Sequence, residues 1–577
     1  MVILASSEFE PLKAEIIGDY ASFLNKNDNQ SAAIFYYKQA INLVQSARKN
    51  VSNLGLGRLQ SFDKTVQDKY QSLADLLVEQ GRLAEAQQVL SMIKEEEYFE
   101  FIRRDAGVAN RLTTKASYIS SEEPWIREYD TISARNANLG KELGELRNKA
   151  KYFPLNDEEK KQLKKLTKDD EQATTNFNDY MARLLKAMKE EAKANVDRIE
   201  DIGAKQLKSL TPLKSMLKDL GDGSVLLHYL ITDKKLHIIL TTPNTQLARH
   251  SVIAAKDLNK KIFALREALG NPKIDPRPMA KELYYLLLAP VAKDLETSKA
   301  KTLMLSLDGP LRYLPFGALY DGTSYVVQTY RTVMYAEAAR DKVVLPAKQE
   351  WKVAALGVSD KVNTAFPPLP NVPAELNAIV KSDTGGIIPG EIRLNKNFTE
   401  NSLTETSIRN PVVHIASHFR FVPGTDRDSF LLLGDGSTLS LDRLRNASFF
   451  QESELLTLSA CETALGTTGK GVEIEGFAAI AMNQGAKAVI ATLWSVSDKS
   501  TALLMQEFYR LKEEKKLPKV EALRQAQLIL LNGKLVDADE TADRERGSEQ
   551  PRFKKDRNMP YSHPYYWAPF ILIGNWK

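Results

Sequence analysis

The sequence predicts two architectures in series: an all-α region, then an α/β region built on a mostly parallel sheet flanked by helices. Three observations predict it. Apolar and small residues recur at helical spacing through the first two hundred residues. Gly221-Asp222-Gly223 then breaks the chain. From residue 224 onward, short apolar runs alternate with helical stretches. A length of 577 residues accommodates roughly three or four domains at about 150 residues each.

Residues 1–110 read as helical repeats. Ala33, Tyr37 and Ala40 follow an A-x3-aromatic-x2-A spacing, with Ala21 and Leu24 one helix earlier. Leu73, Ala74, Leu77, Gly81, Leu83, Ala86 and Leu90 place the same residue classes at the same offsets. Small residues let helices approach closely while large ones fill the gap between them. The pattern is similar to tetratricopeptide repeats. Ala33 and Ala86 lie further apart than one such repeat, so either the helices are longer or an insertion intervenes. Residues 111–222 form a charged helical connector in which Phe177, Met181, Leu184 and Met188 make one apolar stripe. The run EEKKQLKKLTKDDEQ reads as a solvated helical face, with a regulatory partner surface as the sharper alternative.

The α/β region opens with SVLLHYLIT and KLHIILTT, a hairpin across Asp233-Lys234. Helices near 255–269 and 279–295 and a buried strand at 301–307 follow, and Asp308-Gly309-Pro310 turns the chain. After a polar joint near 340–350 come strand WKVAALGVS, the Pro-rich loop FPPLPNVP, helix AELNAIVKS and strand 411–417. Then come the hairpin FLLLGDGSTLS, strand 454–460, helix 475–485, strand 486–494 and helix STALLMQEFYRLKEE. The segment 537–560 is charged and aperiodic, so it reads as a disordered loop, with a cleavable or substrate-contacting loop as the alternative.

Composition narrows the function. Lys and Arg number 79 against 74 acids, a net charge of +5, so nucleic acid is not indicated as a direct partner. No apolar run approaches the roughly 20 residues of a membrane span, so no membrane partner is expected. The start, MVILASSEFEP, lacks a basic flank, which predicts a cytoplasmic protein. Cys461 is the one cysteine, which excludes an internal disulfide and a thiolate zinc cluster. It is either a small buried hydrophobe or a nucleophile.

In a parallel sheet, functional side chains cluster at the carboxyl ends of strands. VVHIASH delivers His418 there, and LLTLSACETALG delivers Cys461 from another strand. A thiol with a pKa near 8.5 gains nucleophilicity at neutral pH from an adjacent imidazole. His414 lies on the same strand as His418, about 13 Å away, too far to share a metal, and reads as a core residue. HExxH, GxSxG and GxxxxGK[ST] motifs are all missing, so no metal, serine nucleophile or nucleotide loop is expected, and no cofactor.

HIASH, LTLSACETALG, GFAAIAMNQGAKAVIATLWSVSD, FYRL, EALRQAQ and HPYYWAPFILIG together resemble the CHAT domain. Its members are caspase-like cysteine peptidases commonly found with tetratricopeptide repeats. LMLSLDGPLRYLPFGALYDG resembles the inactive half that precedes the catalytic half in that family. The resemblance implies a caspase-like fold with an inactive half over 223–345 and a catalytic half over 346–577. It implies that Cys461 attacks a peptide carbonyl and His418 protonates the leaving amine. The oxyanion would be held by the backbone N–H groups of Cys461 and Phe419, where many relatives carry Gly in place of Phe419. Relatives that cut after Arg or Lys often carry Asp where this chain has Ser459. LWSVSD resembles the LWDVTD of separases, with Ser495 in place of the first Asp, and Asp498 is either a P1-pocket acid or a helix N-cap. Trp494 either lines that pocket or packs the strand end. Glu462 reads as structural, since a carboxylate aimed at the thiol would raise its pKa.

The expectation is therefore a regulated intracellular endopeptidase acting on a protein substrate. An activating or inhibitory protein partner on the N-terminal helices would gate it, and prokaryotic defence or cell death is the setting the family implies. The alternative is a caspase-fold scaffold that works by binding alone.

Overall fold

The computed structural model describes residues 10–51, 56–102, 115–194, 210–221, 223–345, 350–362, 366–383, 385–420, 429–451, 453–462, 471–494, 496, 498–533, 552–554 and 556–577. The chain divides into two compact units, residues 1–96 with 104–212, and residues 97–103 with 213–577. The proposed disordered loop 537–560 lies largely outside the described residues. Helices of eight residues or more are numbered here in chain order.

The described part of the first unit is helical. It holds α1 (Glu10–Lys26), α2 (Gln30–Val51), α3 (Leu56–Glu79), most of α4 (Leu83–Ile102), α5 (Glu123–Tyr152) and α6 (Asp157–Ala194). Ala21, Ala33, Ala40, Ala74 and Ala86 are all fully buried, the outcome expected of small residues at helix crossings. Gly81, at φ 68°, makes the tight turn between α3 and α4 that a β-carbon would strain. Helices of 22 and 24 residues at α2 and α3 account for the wide spacing of the two sequence matches. Lys38 and Arg82 meet Glu85 and Glu122 in a buried cluster, with Lys38 to Glu122 at 2.6 Å and Arg82 to Glu122 at 2.7 Å. Burial pushes the Glu122 carboxyl up, and the two cations overcome it and hold it below the usual carboxylate range. On α6, Leu184 and Met188 are buried while Lys161, Lys164, Lys165 and Lys168 face solvent, so the charged run is a solvated face.

The second unit takes in most of α7 (Leu210–Leu220) and, among the described residues, one sheet of thirteen strands. The strands are β1 (Ser224–Ile231), β2 (Lys235–Thr241), β3 (Gln246–Val252), β4 (Thr302–Ser306), β5 (Arg331–Met334), β6 (Val353–Gly357) and β7 (Gly390–Leu394). They continue with β8 (Val412–Arg420), β9 (Phe430–Leu432), β10 (Thr438–Ser440), β11 (Leu455–Glu462), β12 (Ala488–Thr492) and β13 (Phe570–Gly574). Helices α8 (Ala255–Leu269), α9 (Arg277–Leu287), α10 (Val372–Ile379), α11 (Glu400–Arg409), α12 (Val472–Gln484), α13 (Asp498–Glu514) and α14 (Lys519–Leu531) connect them.

The predicted hairpin is β1–β2, paired antiparallel from Leu226↔Thr241 to Ile231↔Leu236. β7, β6, β8, β11 and β12 run parallel in that order, and so do β5, β4 and β1. β13 lies between these groups, antiparallel to β12 and parallel to β5. The final strand of the chain thus joins two parallel groups into one sheet. Central strands buried on both faces are near-continuous apolar runs, which is why β1, β4, β8, β11 and β12 are legible in the sequence. The fold is the mostly parallel α/β architecture expected, preceded by an all-α region.

Candidate active site

Parallel neighbours β8 and β11 carry the two predicted reactive residues. Both strands run further than expected, so His418 and Cys461 lie within the paired ladder rather than beyond it. The register is Leu455↔Val412 through Ser459↔Ala416, then resumes at Cys461↔Phe419 and Glu462↔Arg420. Ser417 and His418 therefore face the single residue Ala460, which is a β-bulge in β8. Bulges re-aim side chains at strand ends. The register brings Cys461 opposite the residue that follows His418. The side chains of Cys461 and Glu462 lie outside the described residues.

His418 is 4% exposed, and its ring centroid is 5.1 Å from that of Phe366. Its Nε2 is 2.8 Å from the Pro367 carbonyl oxygen. A carbonyl only accepts, so Nε2 carries the proton, and in the neutral ring Nδ1 is the nitrogen that accepts. Sequence reasoning assigned no third group to this pair. The group that orients His418 is a backbone carbonyl in the Pro-rich loop, which no side-chain pattern could reveal.

His414 is buried two turns of pleat earlier, as expected of a core residue. Its Nε2 meets Glu375 Oε1 of α10 at 3.0 Å and its Nδ1 meets the Tyr509 hydroxyl of α13 at 3.2 Å. Thr457 of β11 reaches the same hydroxyl at 3.2 Å. This polar network ties β8 and β11 to the two helices covering them.

Phe419, the candidate oxyanion residue, is buried, and its ring meets the Phe477 ring of α12 at 5.2 Å. Its backbone pairs with Cys461 on one side and Leu431 of β9 on the other. Ser459 is buried opposite Ala416. Trp494 is 8% exposed just past β12, and its indole N–H donates to the Tyr565 carbonyl at 3.2 Å. The Arg266 guanidinium of α8 lies 5.2 Å from that ring's centroid and donates to the Leu493 carbonyl. Ser495 lies outside the described residues, and Asp498 is the first residue of α13, its side chain likewise undescribed.

His563 anchors the last sequence motif. Its Nδ1 accepts from the Tyr565 N–H at 2.9 Å and its Nε2 donates to the Ile274 carbonyl at 2.8 Å. Burial holds this imidazole down at about 4, so it is neutral. It caps the turn Pro564–Trp567 that leads into β13. No group of three or more metal-ligating side chains occurs among the described residues. Nor is any helix among them long and apolar enough to cross a membrane.

Comparison with solved structures finds overall similarity at low identity. Two crystal structures of the Saccharomyces cerevisiae separase–securin complex match at 9% and 10% identity, with TM-scores of 0.40 and 0.37. Each match covers 99% of this chain, which spans about half of the matched chain, 53% and 54%. The Arg-specific cysteine proteinase gingipain R matches at 8% identity and a TM-score of 0.33, covering 56% of this chain and 74% of that one. A search of curated proteins finds no match. The CHAT domain family model matches residues 277–575, a span that takes in β4 through β13 and both His418 and Cys461. That span is more than half of the sequence, and the chain belongs to the CHAT domain family.

Proposed function

We propose that this chain is a caspase-like cysteine endopeptidase working through a Cys461–His418 dyad. The observation that carries the reading is the strand register, in which Cys461 pairs with the residue after His418 at the bulged end of two parallel strands. The Pro367 carbonyl supports it by holding His418 in one tautomer.

In the proposed cycle the Cys461 thiolate attacks the scissile carbonyl and a C–S bond forms. The C–N bond breaks as the His418 imidazolium gives its proton to the leaving amine. Water then loses a proton to His418 and attacks the thioester, releasing the new carboxylate and the thiolate. The Cys461 and Phe419 N–H groups hold the oxyanion. Ser459 and Ser495 stand where relatives that cut after basic residues carry acids. Asp498 alone remains to attract a basic P1 residue, and an apolar P1 is equally served.

A cytoplasmic peptidase requires restraint. The helical repeats over 1–110 and the connector over 111–222 are the recognition module, and a protein partner bound there switches the catalytic half over 346–577. Prokaryotic defence or cell-death signalling is the proposed setting.

The single thiol provides the test. Alkylation of Cys461 is followed against pH in the native protein, in His418→Ala, and under denaturing conditions. A native midpoint well below 8.5 that is lost in His418→Ala supports the dyad. An ordinary thiol in both native proteins, with or without partner, would leave the scaffold reading standing.

A further inference from the structure

The first parallel group, β1, β4 and β5, contains no residue of the proposed chemistry, yet its β4 end leads into a costly feature. Arg312, in the short 3-10 helix Gly309–Tyr313, is fully buried. Burying a guanidinium costs several kcal/mol, and an apolar side chain of similar volume would serve a core better. Burial alone would lower its pKa, and the carboxylates of Glu475, Glu97 and Asp308 more than reverse that, so it stays charged.

Two of those carboxylates touch it. Glu97, at the end of α4 and within the second unit, pairs with Nη2. Glu475 Oε1 lies 3.1 Å from Nε, an ion pair. Glu475 is the fourth residue of α12, the helix that the segment 463–470 connects to Cys461. Gly471 precedes that helix in the left-handed conformation at φ 65°, and a β-carbon there would come within 2.7 Å of Arg312 Cβ. The stem of Arg312 therefore seats the residue before α12 while its head grips the first turn. Two residues past Glu475, Phe477 meets Phe419 beside His418.

We propose that Arg312 is a positioning residue for the dyad: by pinning the start of α12 through Glu475 and Gly471, it sets how Phe477 packs against Phe419, the residue that follows His418 and pairs with Cys461. The inactive half then acts by supplying a buried cation to the catalytic half. This rests on the dyad reading, and the test separates the two.

The readout is the pH midpoint of Cys461 alkylation by iodoacetamide in the full-length protein. Arg312→Met and Glu475→Gln both raise the midpoint toward 8.5 and slow alkylation at pH 7 by about tenfold. Plain through-space electrostatics predicts opposite signs, because one variant removes a positive charge and the other a negative one. Shifts in the same direction therefore support positioning, and opposite shifts or an unmoved midpoint overturn it. Glu97→Gln removes a carboxylate from the same guanidinium without touching α12, and its midpoint stays at the native value. Arg312→Lys keeps the charge but loses the fork geometry, and recovers part of the shift. Should Arg312→Met fail to fold, Glu475→Gln decides, because Glu475 is at the edge of the core and Arg312 keeps Glu97. A native thiol that is ordinary and indifferent to His418→Ala rejects the dyad, and this inference with it. A native thiol that depends on His418 but ignores Glu475→Gln rejects this inference alone.

Discussion

The two parallel groups of the sheet use the same device to different ends. In one, the carboxyl ends of β8 and β11 carry His418 and Cys461 across a β-bulge. In the other, β4 leads to Asp308, whose carboxylate accepts from the Ile231 N–H at 2.8 Å, and then to the ion-paired Arg312. Both present polar groups where strands stop, as open parallel sheets do. The first set holds the thiol and imidazole of the proposed dyad, while the second makes buried contacts that hold neighbouring segments. A strand end is thus a place where polar groups collect, and whether they react depends on whether protein partners have consumed their valences.

The contrast would break if the chemistry survived loss of His418 or Cys461. Cys461→Ala and His418→Ala should each lower cleavage of a protein substrate by about 10⁴-fold or more, with unchanged circular dichroism. Comparable cleavage by Cys461→Ala would remove the reactive half of the comparison altogether.

The next largest effect concerns how the two groups are joined. Ile573 of β13 pairs with Val489 of β12 on one side and Met334 of β5 on the other, and is fully buried. Ile573→Ala should destabilise the α/β unit by about 2–5 kcal/mol through lost transfer energy and a cavity at the seam. Denaturant melts would show one cooperative transition moving to lower midpoint. Two separated transitions would mean that the parallel groups fold independently.

Much of this was legible before any coordinates. Apolar runs such as LLTLSA and AVIAT announce strands buried on both faces, and the Cys and His at two strand ends mark the candidate site. The elements that escaped share a physical reason. β3 (QLARHSV) is an edge strand with mixed exposure, and β5 and β7 are short or half-buried, so neither periodicity nor apolar density marks them. The predicted helix over 279–295 breaks into α9, a 3-10 turn at Ala289–Val291 and a short helix, because Pro290 cannot supply the N–H that the continuous helix needs. The Pro367 carbonyl and the Arg312–Glu475 pair were invisible for another reason. One is backbone, and the other joins residues far apart in sequence whose meeting depends on the assembled sheet.

A pH effect sharpens the comparison on the structural side. His563 has its imidazole pushed down to about 4 from 6.5, chiefly by burial. A depressed folded-state value means the neutral form is favoured in the native state. The associated stability is complete above pH 6.5 and is lost progressively as pH falls from 6.5 toward 4. The loss should total about 3 kcal/mol. Thermal melts of His563→Gln should show a flatter slope in that window, and an unchanged slope would mean that other groups carry the acid sensitivity.

The smallest effect probes how His418 is held. Phe366 is 8% exposed and its ring leans on the imidazole at a 37° interplanar angle, immediately before the residue whose carbonyl accepts the Nε2–H hydrogen bond. Phe366→Leu keeps most of the apolar volume and the backbone carbonyl but loses the ring contact, worth about 1 kcal/mol. Cys461 alkylation at pH 7 should slow by a few-fold, with little change in melting temperature. A loss as large as that of His418→Ala would mean that the aromatic face, rather than the Pro367 carbonyl, orients the imidazole. An unchanged rate would assign the orientation of His418 to the Pro367 carbonyl alone.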